Sequence, residues 1–263
     1  MDLTNKRVWI SGASAGLGEA LARYAHEAGA EVILSARSVP KLETLANELR
    51  AGASVEVLPL DLTQPDTFPE AVEAAGPIDF LINNGGISQR SPAVDTKPEV
   101  VRRIMETNFF GHVELTRLVL PAMISRKSGH IAVTSSVVGH IGTPMRSAYA
   151  ASKHALHGYY DSLRYEVARE GIEITLISPG YIHTDISRNA VTSDGSSLGT
   201  MDSGQANGMS PAAFARKAWR AIERGKAEVY IGGSELTGIY LKRYVPWLLD
   251  KIMLRRGWDG QDR

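Results

Sequence analysis

Arg7-Val8-Trp9-Ile10-Ser11-Gly12-Ala13-Ser14-Ala15-Gly16-Leu17-Gly18 is the stretch that decides the fold of this chain. A short apolar run enters a glycine-rich turn, and an amphipathic pattern follows, so the segment reads as strand, tight turn and helix. Glycine lets such a turn bend sharply and lets backbone approach a ligand closely. The positive end of the helix beginning near Ala15 favours an anionic group at that point. The turn is therefore a candidate pyrophosphate site, with Gly12, Ser14, Gly16, Leu17 and Gly18 as its residues. Its spacing is Gly-x-x-x-Gly-x-Gly rather than the common Gly-x-Gly-x-x-Gly, so by itself it also fits a purely structural turn.

Working outward, strand and helix patterns alternate to the end of the chain. Residues 31–36 form a β-branched run, and Leu42, Leu45 and Leu49 recur at helical spacing over 41–50. Further strands are expected at 55–58, 80–83, 131–134, 172–177 and 228–231, and helices at 67–75, 99–124, 147–170 and from Pro211. Strands separated by helices of this length imply a parallel sheet covered on both faces. The expectation is a single α/β domain over residues 1–263, a doubly wound Rossmann fold of about seven strands.

Two segments stand apart from this alternation. Residues 191–208 are rich in Ser, Gly, Asp and Asn and lie beyond the carboxyl end of the sixth strand, where ligands of such sheets bind. Residues 185–210 are accordingly expected to be a mobile substrate lid, the alternative being a tolerated surface insertion. Residues 235–258 mix bulky apolar side chains with Lys and Arg, and Pro246 prevents one long helix. This amphipathic segment fits a membrane surface, the active site or a sister subunit equally well.

Composition narrows the function. Lys plus Arg and Asp plus Glu each total 29 in 263 residues, which gives no electrostatic case for nucleic acid. The absence of cysteine excludes disulfides and thiolate chemistry, and on this basis no metal site is expected. The first residues run straight into the first strand without a leader pattern, and there is no apolar run of membrane-spanning length, so a cytoplasmic protein is expected.

Chemistry concentrates in Tyr149-x-x-x-Lys153, with Ser136 thirteen positions upstream. Positions four apart share one helix face, so Lys153 sits beside Tyr149. A free phenol has a pKa of about 10, and a neighbouring ammonium is expected to lower it toward working pH, making Tyr149 a general acid or base. A carbonyl/alcohol redox reaction is the reading these residues favour.

Together the glycine turn, Asp61, Asn83-Asn84-Gly85-Gly86, Asn108-Phe109-Phe110-Gly111, Ser136, Tyr149/Lys153 and Pro179 to Thr184 resemble the short-chain dehydrogenase/reductase family, in the family's order and over nearly the whole chain. Ser11 stands where the family usually has Thr, and Gly85 where it has Ala. The resemblance implies that Asn108, Ser136, Tyr149 and Lys153 are catalytic, with Asn108 holding a water linked to the lysine. It also implies cofactor contacts from Asp61, Leu62, Asn83, Tyr149, Lys153, Ile182 and Thr184, and a homodimer or homotetramer. The tail and the segment after Pro179 are similar to the branch containing 11β-hydroxysteroid dehydrogenase and member 7B-like proteins, which implies a lipophilic ketone or alcohol as substrate. Within this frame the end of the second strand bears on the cofactor: Ala36 replaces the acid that would bind an NAD ribose, and Arg37 offers a guanidinium to a 2′-phosphate, so NADP(H) is expected. The competing readings are a non-catalytic NADP(H)-binding protein on the same fold and a nucleotide-sugar epimerase.

Overall fold

The computed structural model describes residues 2–255. Its strands β1 (Arg7–Ser11), β2 (Glu31–Ser35), β3 (Val55–Val57), β4 (Phe80–Asn83), β5 (Gly129–Thr134), β6 (Ile172–Pro179) and β7 (Glu228–Ile231) pair in the order β3-β2-β1-β4-β5-β6-β7. Every pairing is parallel, with Val8 opposite both Val32 and Phe80 in the centre. This is the doubly wound α/β sheet that the alternation predicted.

Parallel strands buried on both faces must send successive side chains into different layers. Val8 and Ile10 enter the layer beneath α1 (Gly16–Glu27), α2 (Val39–Glu48) and α8 (Pro211–Glu223). Trp9, between them, enters the opposite layer under α3 (Phe68–Ala75), α5 (Gly111–Arg126) and α6 (Ser147–Val167). Trp9 is wholly buried, and its indole N–H donates to Ser35 Oγ at 2.8 Å, so its one polar atom is satisfied. Cutting it to alanine would cost about 3–5 kcal/mol.

The helix expected over 99–124 is interrupted. α4 (Pro98–Met105) passes through a π-helical turn, Glu106–Phe110, before α5 begins. Asn108 sits in that turn and takes its side chain out of helical register to bind the loop after β4. The tail forms α9 (Thr237–Tyr244) and α10 (Pro246–Arg255), separated at Pro246 as expected. Ile239 and Leu249 anchor these two helices on Val137 and Ile141. Residues 256–258 of the expected amphipathic segment lie outside the described residues. Between β6 and α8 the chain carries one short helix, α7 (Ser203–Ala206).

Candidate active site

The carboxyl ends of the central strands open on one cleft of about 2330 Å³, large enough for a dinucleotide with a second molecule beside it. Ser14, Gly16, Leu17, Arg37, Asp61 and Leu62 line this cleft together with Ser136, Tyr149, Lys153, Ile182 and Thr184.

The turn after β1 is built as the glycines require. Gly12 and Gly16 have φ of +70° and +61°, the left-handed region that favours glycine. A Cβ on Gly12 would come within 2.7 Å of Gly85 Cα, and one on Gly18 within 2.1 Å of the Gly12 carbonyl oxygen. Gly18 is thus a packing residue beneath the cleft and does not line it. Ser11 keeps the role of a linking hydroxyl, accepting from the backbone N–H groups of Asn84 and Gly85 at 3.0 and 3.1 Å. Gly85, where alanine is usual, has Leu62 Cδ1 closed over it: a Cβ there would lie 2.6 Å from that methyl.

Two further expected site residues do not reach the cleft. Asn83 is fully buried and gives its side-chain N–H groups to Thr116 Oγ1 and Tyr160 OH, at 2.8 and 3.1 Å. Its neighbour Asn84 lines the cleft instead and ties Ser11 and Gly12 to Thr134. Strand alternation explains the exchange, since adjacent residues point to opposite faces. Asn108 is likewise committed elsewhere: its amide accepts from Ile87 N at 2.8 Å and donates to Ile87 O at 2.9 Å and Ser152 Oγ at 3.0 Å. It positions the loop after β4 beside the residue preceding Lys153.

Ser136 ends an extended segment after β5, accepts from Val138 N through its hydroxyl, and lines the cleft together with Tyr149. Lys153 is buried one turn below Tyr149, its Nζ 5.9 Å from the centre of the phenol ring and donating to Thr134 O at 2.8 Å. The electrostatics differ from the sequence expectation. Burial raises the Tyr149 phenol above its ordinary value, opposed by the Ser136 hydrogen bond and then by the charge of Arg146. The same burial disfavours the ammonium and brings Lys153 down to about 7.

Asp61 lines the cleft and accepts from Thr63 N and Thr63 Oγ1 at 3.0 and 2.9 Å. Arg37 also lines the cleft and is exposed. His183, expected to be structural, contacts Ala206 O through Nδ1 at 2.9 Å.

Several residues of the site were not singled out from the sequence. Gln89 is fully buried, and its Oε1 accepts from the N–H groups of Ala148 and Tyr149 at 2.9 and 3.2 Å, capping α6 at the catalytic turn. Asp202 is bound by both Arg90 and Arg146, and Val191 bridges to Gln89 and Ser197. Residues 185–210 are therefore tied over the cleft at several points. His140, His157 and Glu228 also converge behind Ser135. None of these pairings has a local sequence signature.

A dinucleotide cradle joined to a buried Ser-Tyr-Lys cluster on a parallel sheet defines a nicotinamide-dependent oxidoreductase. The chain belongs to the short chain dehydrogenase family, whose model matches residues 6–195. It is 44% identical to a dehydrogenase/reductase SDR family member 7B from Bos taurus over 264 aligned residues, covering 96% of this chain and 81% of that one. A short-chain dehydrogenase structure from Streptomyces avermitilis superposes with a TM-score of 0.81 at 29% identity, covering 97% of this chain and 98% of that one. A short chain dehydrogenase from Burkholderia cenocepacia, solved in complex with NADP, superposes with a TM-score of 0.81 at 25% identity over 97% and 99% of the two chains. Among the described residues, no helix is long and apolar enough to cross a membrane.

Proposed function

We propose that the protein is an NADP(H)-dependent reductase of lipophilic ketones or aldehydes, able to run the reverse oxidation of the secondary alcohol. The observation that carries this reading is the convergence of Ser136 and Tyr149 on one cleft, with the buried Lys153 5.9 Å from the phenol ring. The turn fits a dinucleotide, because Gly12 and Gly18 hold backbone where any side chain would collide, at the positive end of α1. When bound, the nicotinamide cofactor supplies or accepts the hydride. Tyr149, kept protonated by burial, gives its proton to the carbonyl oxygen. Ser136 donates to the same oxygen as charge develops there. Lys153 and Asn108 act as positioning residues that fix α6 and the loop after β4 around this pair.

Arg37 without an acid at Ala36 supports the choice of NADP(H), with the Ser14 hydroxyl as a further donor. Val138, Ile141, Val191, Leu241, Leu249 and Met253 line the cleft and support a lipophilic substrate, with residues 185–210 as its lid. Tyr240, Tyr244, Trp247 and Leu254 are exposed on the outer face of the tail, which supports a peripheral membrane contact. Cytoplasmic placement and a homo-oligomer complete the reading and rest on the resemblance and on the sequence. The test is cofactor absorbance with NADPH and NADH against a panel of ketones, aldehydes and steroids. NADPH-dependent turnover that disappears in Tyr149→Phe is expected; tight NADPH binding with no turnover anywhere in the panel would favour a binding protein.

A further inference from the structure

Three side chains that the reductase reaction does not use meet behind the active site. His140 follows the turn that starts at Ser136, His157 lies one helical turn beyond Lys153 on α6, and Glu228 opens the edge strand β7. Their donor atoms all lie within 4.8 Å of one another, and the two imidazole rings are 4.2 Å apart. We propose that His140, His157 and Glu228 form a site for a divalent cation of the zinc class, which clamps the Ser136 turn, α6 and β7 together.

Glu228 Oε1 lies 3.0 Å from His140 Nε2 and 3.5 Å from His157 Nδ1. Tetrahedral zinc with bonds of about 2.0–2.1 Å has ligand-to-ligand edges of about 3.4 Å, and the two spacings fall on either side of that value. Glu228 Oε1 is also buried without a properly aligned hydrogen bond, although it faces two imidazole nitrogens. An acceptor left unsatisfied in such a place is costly, and a cation between the three atoms removes that cost.

Two of the atoms that would not ligate already have partners. His157 Nε2 contacts Ser135 Oγ at 2.7 Å, and Glu228 Oε2 accepts from Tyr230 OH at 2.9 Å. Metal-bound imidazoles and carboxylates are held in this way by an outer ring of hydrogen bonds. Ser178 Oγ stands 3.2 Å from His140 Nε2 and adds a hydroxyl beside the site. Two nitrogens and one carboxylate oxygen suit zinc better than magnesium or calcium, which prefer oxygen ligands throughout. The partly exposed side chains leave a route for entry: His140 is 18%, His157 13% and Glu228 30% exposed.

The experiment is titration of the chelator-treated full chain with Zn²⁺, read by calorimetry and by Tm, with Mg²⁺ and Ca²⁺ in parallel. One saturable equivalent of Zn²⁺ and a rise in Tm are expected, since a ligand that binds only the folded state stabilises it. Glu228→Gln keeps the shape and the contact with Tyr230 and should lose both effects. His140→Gln provides the same test at a second ligand, and circular dichroism checks that both variants fold. A native chain that takes up no Zn²⁺, takes up as much as Glu228→Gln, or responds equally to Mg²⁺ overturns the proposal and leaves a hydrogen-bonded His-Glu network. None of these readouts depends on reductase activity.

Discussion

Lys153 Nζ donates to the main-chain carbonyl of Thr134 at 2.8 Å, which fastens α6 to the last residue of β5, two positions before Ser136. The bond holds a cation in a place that disfavours cations. Burial brings the Lys153 ammonium from 10.5 down to about 7. Below about 7 the folded and unfolded chains both carry the proton, and the fold bears the full cost of the buried charge. Between about 7 and 10.5 only the unfolded chain holds it, so stability rises with pH until that cost is gone. Lys153→Met is therefore expected to stabilise the unliganded protein while abolishing turnover. Its advantage in Tm should shrink as pH is raised from about 6 to about 9. A difference in Tm that is flat with pH would show that the buried charge does not limit stability.

Tyr149 predicts a second pH dependence, this time in rate. Because burial raises the phenol above its ordinary value, it is protonated throughout the neutral range and ready to act as an acid. Alcohol oxidation needs the opposite form, the tyrosinate, which becomes populated only as pH approaches the raised pKa. Reduction kcat/KM should thus stay nearly level between about pH 6 and 8, while oxidation kcat/KM climbs with each step in pH through the same range. An oxidation rate that is already level at neutral pH would mean that the phenol is not raised in the working enzyme.

Arg37 tests the cofactor preference. It is exposed and lies outside the Ser136-Tyr149-Lys153 cluster, so its removal should leave the chemistry alone. Hydrogen bonds to charged groups contribute about 1.5–3 kcal/mol, which for a lost phosphate contact is roughly 10- to 100-fold. Arg37→Ala should lower kcat/KM for NADPH by that factor, mainly through KM, and leave NADH unaffected. Equal losses with both cofactors would locate the effect in the fold of the turn rather than in phosphate recognition.

These residues also divide what was legible in the sequence from what was not. Tyr149 and Lys153, or Gly12 and Gly16, are close in the chain, and their geometry follows from helix periodicity or from backbone sterics. The strands were legible for the same reason, because burial on both faces leaves runs such as Val8-Trp9-Ile10 without polar interruption. Gln89 on the start of α6, and His140 with His157 and Glu228, are joined only by the fold, so no local pattern announces them. The direction of the Tyr149 shift was missed because helical spacing conveys proximity but not desolvation. The π-helical turn at Asn108 was missed because it depends on the hydrogen bonds to Ile87, which lies in another element.

Asp202 provides the test of the lid. It is held between Arg90 and Arg146, and only 13% of its side chain is exposed. Arg146 is also the charge that helps to lower the Tyr149 phenol, so one carboxylate links the loop to the catalytic turn. Removing a partly buried carboxylate takes one charged partner from each of two guanidinium groups, at a cost of roughly 1–3 kcal/mol. Most of that cost should appear locally, because the loop can open while the sheet stays folded. Asp202→Ala should therefore be cut by trypsin after Arg188 much faster than the native chain, with little change in the global denaturation midpoint. The substrate KM should rise more than kcat falls. If the Arg188 bond is cut no faster, the anchor on residues 185–210 lies in the bridge of Val191 to Gln89 rather than in the ion pairs.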